Sequence, residues 1–466
     1  MLFSSIPFLY YFLPIVLFLY FAVPNKGKNF VLLLSSLFFY GWGESKYVIL
    51  MLAVIFFGYI FGLLIEKNRE QKMGKVLLVL TAAIDVSILA YFKYADFFVE
   101  NVNAVTGMQI PLLKIALPIG ISFFIFQILS YDIDVYRGTV KAQKKPLDLA
   151  AYVAMFPQLI AGPIVRYVDI EEQLGNRTHS IELVAAGIRR FMSGLAKKVL
   201  VANALGECCA VFKASSQKSV LFIWMYGIAF MLHIYFDFSG YSDMAIGLGK
   251  FFGFHFMENF NYPYISESIT EFWRRWHISL GSWFRDYVYI PLGGNRVSKT
   301  RWIINIVTVW FLTGFWHGAA WNFIVWGLYF VIFLMIEKFL FAPYLKKAKG
   351  WNHIYVLFFV MVSFMIFDAA TLQEAVVNIL GLFGIGVENI ISTESVYYLR
   401  NYLFIYVIAI VGATPLPKKI YEIIQKSAWG KGAVVVAEPV IMVLLFVVIT
   451  AFLVDGSFNP FLYFRF

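Results

Sequence analysis

Tyr47-Val-Ile-Leu-Met-Leu-Ala-Val-Ile-Phe-Phe-Gly-Tyr-Ile-Phe-Gly-Leu-Leu-Ile65 runs for nineteen residues without a charge. As an α-helix that run would be about 28 Å long, close to the thickness of a bilayer's hydrocarbon core. Runs of similar character begin at Pro7, Phe30, Val76, Leu112, Ser219, Trp302, Ala319, Ile354, Tyr402 and Val434. The pattern predicts an all-α, polytopic membrane protein of about eleven crossings, with shorter re-entrant and interfacial helices between them. Composition agrees: 61% of the 466 residues are hydrophobic and 14% are charged, against about a quarter charged in ordinary globular domains. No soluble domain or Pro/Ser-rich linker interrupts the series, so one membrane domain is expected over residues 1–454, followed by a tail over 455–466. The first apolar run has no Lys or Arg before it and meets Pro24-Asn25-Lys26, so it reads as a spanning helix and not as a cleaved signal.

A net charge of +10 would suit a nucleic-acid binder, but its distribution argues otherwise. Lys26 and Lys28, then Lys67, Arg69, Lys72 and Lys75, then Arg137, Lys141, Lys144 and Lys145 fall in alternate short loops. The intervening loops are neutral or acidic, as from Asp96 to Asn103. By the positive-inside rule the N-terminus lies outside, and the last apolar run leaves Asp455 to Phe466 outside as well. Cys208 and Cys209 are adjacent, which disulfide geometry does not favour. They read as inert thiols.

Six histidines are present. His179 and His353 sit in polar, loop-like sequence and are expected to be solvated, and His255 to be interfacial. His233, His277 and His317 fall in apolar or aromatic stretches, where a polar group is costly. His317 belongs to Thr313-Gly-Phe-Trp-His-Gly318, and Gly314 and Gly318 have the spacing that lets another helix approach closely. Its imidazole reads either as a satisfied buried group or as a general base in a dry tunnel. His277 follows Ser268-Ile-Thr-Glu271, a capping-box signature that starts a helix. On one continuous helix Thr270, Arg274, His277, Gly281 and Arg285 would share a face. That face is too charged for lipid. It would line an aqueous or anionic-ligand cavity, with Arg274 and Arg285 holding phosphates of a nucleotide-like carrier, or Arg274 and Arg275 would snorkel to headgroups. His233 and Asp237 are four apart and can touch, which reads as a structural polar network. No pair of histidines has the spacing and carboxylate context of a zinc site, so no metal is expected.

The tail, Gly456-Ser-Phe-Asn-Pro-Phe-Leu-Tyr-Phe-Arg-Phe466, would be a sticky patch if free in water. It is expected to fold back into a cavity on the outer side, or to anchor at the interface. Tyr463 is a candidate nucleophile; its ordinary pKa of about 10 means it would need a base such as His317.

Several segments together resemble the membrane-bound O-acyltransferase (MBOAT) superfamily, in particular its bacterial branch acting on polysaccharides outside the cytoplasm, as in alginate and peptidoglycan O-acetylation. They are Phe3-Ser-Ser-Ile-Pro-Phe-Leu9, Leu117-Pro-Ile-Gly-Ile-Ser-Phe-Phe124, Phe156-Pro-Gln-Leu-Ile-Ala-Gly-Pro163, Tyr235-Phe-Asp-Phe-Ser-Gly-Tyr-Ser-Asp243, Phe272-Trp-Arg-Arg-Trp-His-Ile-Ser-Leu280, Trp283-Phe-Arg-Asp-Tyr-Val-Tyr-Ile-Pro-Leu-Gly-Gly-Asn295 and the His317 motif. The resemblance implies an hourglass bundle with a thin central floor, in a bacterial cytoplasmic membrane. It implies acetyl-CoA as the cytoplasmic donor, His317 as the catalytic histidine and His277 as the second family histidine. It also implies a partner: an extracytoplasmic SGNH or esterase-like O-acetyltransferase that places the acetyl group on a sugar hydroxyl. The aromatic tail is similar to the terminal motif of these exporters; the related D-alanylation system supplies that motif on a small partner protein, whose tyrosine is proposed to carry the acyl group briefly as an ester, a role that would fall here on Tyr463. The rival within the family is a D-alanyl exporter for teichoic acids. Outside it stand a transporter, which would more often show internal repeats, and a non-catalytic scaffold.

Overall fold

The computed structural model describes residues 1–160, 162–345, 347–456 and 461–462; Tyr463 lies outside the described residues. Every described element is helical. The helices that matter are α1 (Leu13–Ala22), α2 (Lys28–Glu44), α3 (Val48–Asn68), α4 (Lys72–Thr106), α5 (Ile121–Arg137), α6 (Pro146–Ala154), α7 (Val220–Phe251), α8 (Ile269–Arg275), α9 (Ile278–Phe284), α10 (Lys299–His317), α11 (Trp321–Ile336), α12 (Trp351–Asp368), α13 (Thr393–Gly412) and α14 (Ala428–Asp455).

The apolar runs fall largely on helices, but seven described stretches, not eleven, are long and apolar enough to cross a membrane by themselves. Two causes account for half of the difference. Asn25–Asn68 is one of the seven and contains two runs, α2 and α3, separated by a 3-10 turn over Ser45–Tyr47. The run from Leu112 stays non-helical until α5 begins at Ile121, because Pro118 cannot sit inside a helix and Gly120 adopts a left-handed φ of 76°.

Contacts group the chain into two compact units. The first comprises residues 1–191 and 242–257. Its core is aromatic: Phe3, Phe8, Phe12, Phe39 and Phe156 pack with centroids 5.0 to 6.4 Å apart. α3 meets α5 through Gly58 and Gly62, where an added Cβ would stand 2.7 Å from Ile128 and Tyr131. His179 is not solvated: its Nε2 is 2.9 Å from the Tyr20 hydroxyl, its Nδ1 is 3.4 Å from Lys28 Nζ, and burial lowers its pKa. His255 is exposed.

The second unit comprises residues 192–241 and 258–466. Here α10 and α11 form a hairpin of crossing helices, flanked by α12 and by the short pair α8 and α9. α14 presents Val435, Val436, Val443, Leu444 and Phe452 outward, as a lipid-facing helix must. Both cysteines are free and buried. His353 is half-buried, its Nδ1 3.1 Å from the Ser266 carbonyl, and so is bonded rather than solvated.

Candidate active site

The second unit positions the candidate groups through one short interrupted segment and one helix crossing. Ser268 caps α8: its Oγ accepts from the Glu271 N–H at 3.0 Å. The second half of the expected box is absent. Glu271 accepts instead from the Glu267 N–H and from Arg275 Nε. The remaining free N–H groups at the start of α8 are met by Glu337, a buried carboxylate 67 residues away that accepts from the Thr270 N–H at 2.9 Å and the Thr270 hydroxyl at 2.7 Å, and also from the Ile269 N–H.

The continuous helical face expected through His277 does not form. α8 ends at Arg275, Trp276 is extended, and His277 takes a left-handed φ of 46° before α9 starts. A side chain in that region costs about 1–2 kcal/mol. The turn is held from outside by Asn259, fully buried, which supplies its carbonyl to the Ile278 N–H at 3.0 Å. Its Oδ1 accepts from the Ser279 hydroxyl at 2.9 Å and N–H at 3.2 Å. Helices of seven residues are about 10 Å long, too short to span. The break turns His277 inward. It is 2% exposed, its ring meets Phe238 edge-on at 4.7 Å, and among the described residues its Nε2 has no hydrogen-bond partner. Burial pulls its pKa down to about 3, so the ring is neutral at physiological pH.

His317 ends α10. Gly314, one turn earlier, packs directly on α11: a Cβ added there would stand 2.3 Å from the Phe323 carbonyl oxygen and 3.3 Å from the Gly327 Cα. The glycine spacing therefore marks a close crossing, with Gly327 as the unforeseen partner. Gly318 lies against the Phe323 ring. The crossing puts the His317 ring edge-on to Trp326 at 5.1 Å and Phe367 at 5.3 Å, in an aromatic box.

Two cavities border this region. The larger, about 1000 Å³, is lined by Arg274, Arg285, Glu337, Lys338, Trp276 and His277 among others. It follows α10 from Trp302 to Thr313, about 16 Å along the helix axis. His317 lies one turn further. The smaller cavity, about 30 Å³, is lined by His277, His317, Trp276, Trp326, Asp237 and Leu462 among others. It has room for a water molecule or two. Trp276 and His277 belong to both walls. The large cavity is of the size that binds cofactors. Arg274 makes no ion pair among the described residues, whereas Arg285 is paired with Asp286 at 2.7 Å. The two arginines and His277 thus share a cavity although they do not share a helix. Trp326 brings a further group: it lines the small cavity, and among the described residues its buried indole N–H has no hydrogen-bond partner.

His233 and Asp237 do not pair with each other. His233 Nδ1 is 2.7 Å from the Ala202 carbonyl oxygen, while Asp237 forms an ion pair with Lys198 at 2.5 Å, both side chains at most 2% exposed. Lys198, Asn259, Glu337 and Trp326 were not singled out from the sequence. Each acts on a partner far along the chain or through an ordinary-looking residue. Among the described residues no group of three or more His, Cys, Asp or Glu is placed to hold a metal.

Comparison with known proteins fits this geometry. The profile of the membrane-bound O-acyltransferase family matches residues 141–386. A probable alginate O-acetylase of Azotobacter vinelandii is 45% identical over 383 residues, covering 80% of this chain and 76% of the relative. The probable alginate O-acetylase of Pseudomonas putida is 39% identical across the full length of both chains. A peptidoglycan O-acetyltransferase of Helicobacter pylori is 34% identical over 426 residues, 83% of this chain and 80% of the relative. The chain belongs to the membrane-bound O-acyltransferase family: it is a multi-pass membrane acyltransferase of the kind found in alginate and peptidoglycan O-acetylation.

Proposed function

We propose that the chain takes an acetyl group from acetyl-CoA in the large cavity and delivers it across the membrane, where a separate esterase-like O-acetyltransferase places it on a polysaccharide hydroxyl. The observation that carries this reading is the sharing of His277 by two cavities, one sized for a nucleotide-like carrier and the other bounded by His317 and Leu462. Leu345 lines the large cavity and Lys347 and Lys349 follow it in the chain, a basic-loop pattern that supports a cavity mouth on the cytoplasmic side and termini on the outer side. Arg274, Arg285 and Lys338 offer positive charge to the donor's phosphates near that mouth.

In the reaction we propose, the Tyr463 phenol oxygen attacks the thioester carbonyl while His317 takes the phenolic proton. Positive charge developing on the ring is favoured by the carbonyl end of α10. The carbon–sulfur bond breaks, the sulfur takes the proton back from the imidazolium, and CoA leaves as the thiol. Tyr463 then carries the acetyl group as an ester until the partner's nucleophile takes it and restores the phenol. His277, neutral and with Nε2 unengaged, positions the donor. The Trp326 N–H is the donor offered to the carbonyl oxygen as it gains charge.

Purified protein given radiolabelled acetyl-CoA is expected to release CoA and to bear label in the peptide containing Tyr463. His317→Ala abolishes both. Full transfer by Tyr463→Phe would sink the relay, and full transfer by His317→Ala the catalytic reading altogether. A D-alanyl exporter would accept only a carrier-protein thioester, and a transporter would release no CoA.

A further inference from the structure

Asp237 is buried, and it uses both carboxylate oxygens. Oδ1 holds Lys198 Nζ at 2.5 Å, and Oδ2 accepts from the backbone N–H of Leu462 at 2.8 Å. Lys198 stands 4.7 Å from the centroid of the Phe461 ring, which also meets Tyr241 edge-on at 4.5 Å. Phe461 and Leu462 are 1% and 6% exposed. So the end of the chain is brought in by one main-chain hydrogen bond to a carboxylate and one ring laid on an ammonium. Leu462 then closes the small cavity that His277 and His317 line.

A buried ion pair is an expensive way to gain stability, since well-packed apolar residues often do as well. This pair has a directional use that apolar residues would lack. A carboxylate with one oxygen neutralised by a cation still presents the other to a backbone donor, and contact with the main chain fixes a segment's register whatever its side chains. Lys198 itself lies on the π-helical turn Lys197–Ala202, the kind of helix irregularity often found at functional sites.

We propose that Lys198 and Asp237 are positioning residues for acyl transfer: together they seat the chain's own C-terminal arm, holding Leu462, the residue before Tyr463 in the sequence, at the cavity of the two histidines. The proposal rests on the relay reading above for what Tyr463 does, but the seat itself is read separately.

The test uses the full-length chain in nanodiscs with the double variant Lys198→Met/Asp237→Leu, which removes both charges and leaves neither buried alone. Hydrogen exchange of the peptide spanning Phe461 to Phe466 is expected to quicken at least tenfold. The turnover number for transfer to an acceptor is expected to fall about a hundredfold, while KM for acetyl-CoA stays within threefold. Phe461→Ala, which leaves the ion pair intact, is expected to move both readouts the same way by less, and serves if the double variant does not fold. Unchanged exchange in both variants would overturn the seat. Faster exchange with an unchanged turnover number would overturn its positioning role. Tyr463→Phe is expected to keep slow exchange and lose transfer; if it keeps transfer, the relay fails while the seat stands on the exchange data.

Discussion

Gly314→Ala tests whether the α10–α11 crossing sets the position of His317. The added methyl would stand 2.3 Å from the Phe323 carbonyl oxygen and 3.3 Å from the Gly327 Cα. Carbon and carbonyl oxygen ordinarily meet at about 3.3 Å, so the helices must separate by about 1 Å. Both obstacles are backbone, and no rotamer change relieves them. Overpacking of this kind costs about 1–3 kcal/mol of stability. The larger effect falls on chemistry, because His317 is one turn along the displaced helix and Trp326, which walls it, is on the other. A 1 Å misplacement of a reacting group can cost about 100-fold in rate, equivalent to about 2.7 kcal/mol of barrier. The assay is acceptor-dependent CoA release in nanodiscs alongside thermal melting. Gly432→Ala, where an added methyl meets nothing within 4 Å, is the control and should leave the rate alone. A Gly314→Ala protein with wild-type melting and more than half the wild-type rate would refute the reasoning. Gly327→Ala, facing the Trp310 carbonyl at 2.4 Å, should behave like Gly314→Ala.

Glu337→Ala strips three donors at the start of α8 of their acceptor and is expected to destabilise the protein by about 1–3 kcal/mol, read as a lower melting temperature with a raised KM for acetyl-CoA. Asn259→Ala frees the left-handed turn at His277. Its loss should appear chiefly as a turnover number reduced at least tenfold, with the large cavity still binding donor by calorimetry. Trp326→Phe keeps the ring and removes only the N–H; the turnover number should fall roughly 10²-fold, as for loss of one oxyanion donor, and an unchanged value would remove Trp326 from the chemistry. Because burial holds His277 well below the ordinary histidine value of 6.5, the unfolded chain binds a proton there that the folded chain does not. Stability should therefore fall as pH drops from 6.5 toward about 3, by at most about 1.4 kcal/mol per unit, and His277→Gln should flatten that slope in melts taken across the range.

What could be read from the sequence was what acts locally. An apolar run becomes a helix, Ser268 caps the turn three residues on, and two glycines four apart predict a close crossing. What could not be read was which distant group completes each local arrangement. His277 looks like a helical residue because nothing beside it is glycine or proline; the break depends on Asn259, eighteen residues earlier in the chain. The start of α8 looks complete with Ser268 and Glu271, yet Glu337 supplies most of the acceptors. Spacing suggested that His233 and Asp237 would meet, and a helix does put them on one face. Each has instead a partner on or beside the π-helical turn at Lys197–Ala202, and a buried ammonium is a stronger claim on a carboxylate than a neutral imidazole.

The same contrast bears on how a thioester could be attacked at membrane depth without being lost to water. Arg274, Arg285 and Lys338 stand in the large cavity, where they can meet a hydrated polyanionic carrier. Past His277 the walls change to Phe238, Trp326, Phe364 and Phe367, and the volume drops to about 30 Å³. A void of that size admits a water or two, but has little room for the hydrogen-bonded chain of waters that would let protons or hydroxide compete with a fixed nucleophile. The low polarity also strengthens each interaction left inside, so one imidazole and one indole N–H exert more influence there than they would in water. A nucleophile that must work in such a place cannot diffuse in with its own hydration shell. If Tyr463 is that nucleophile, as proposed, it comes on the protein's own chain, next in sequence to Leu462, whose backbone N–H is held by a carboxylate already neutralised by Lys198. That is the physical case for building the acceptor arm into the polypeptide.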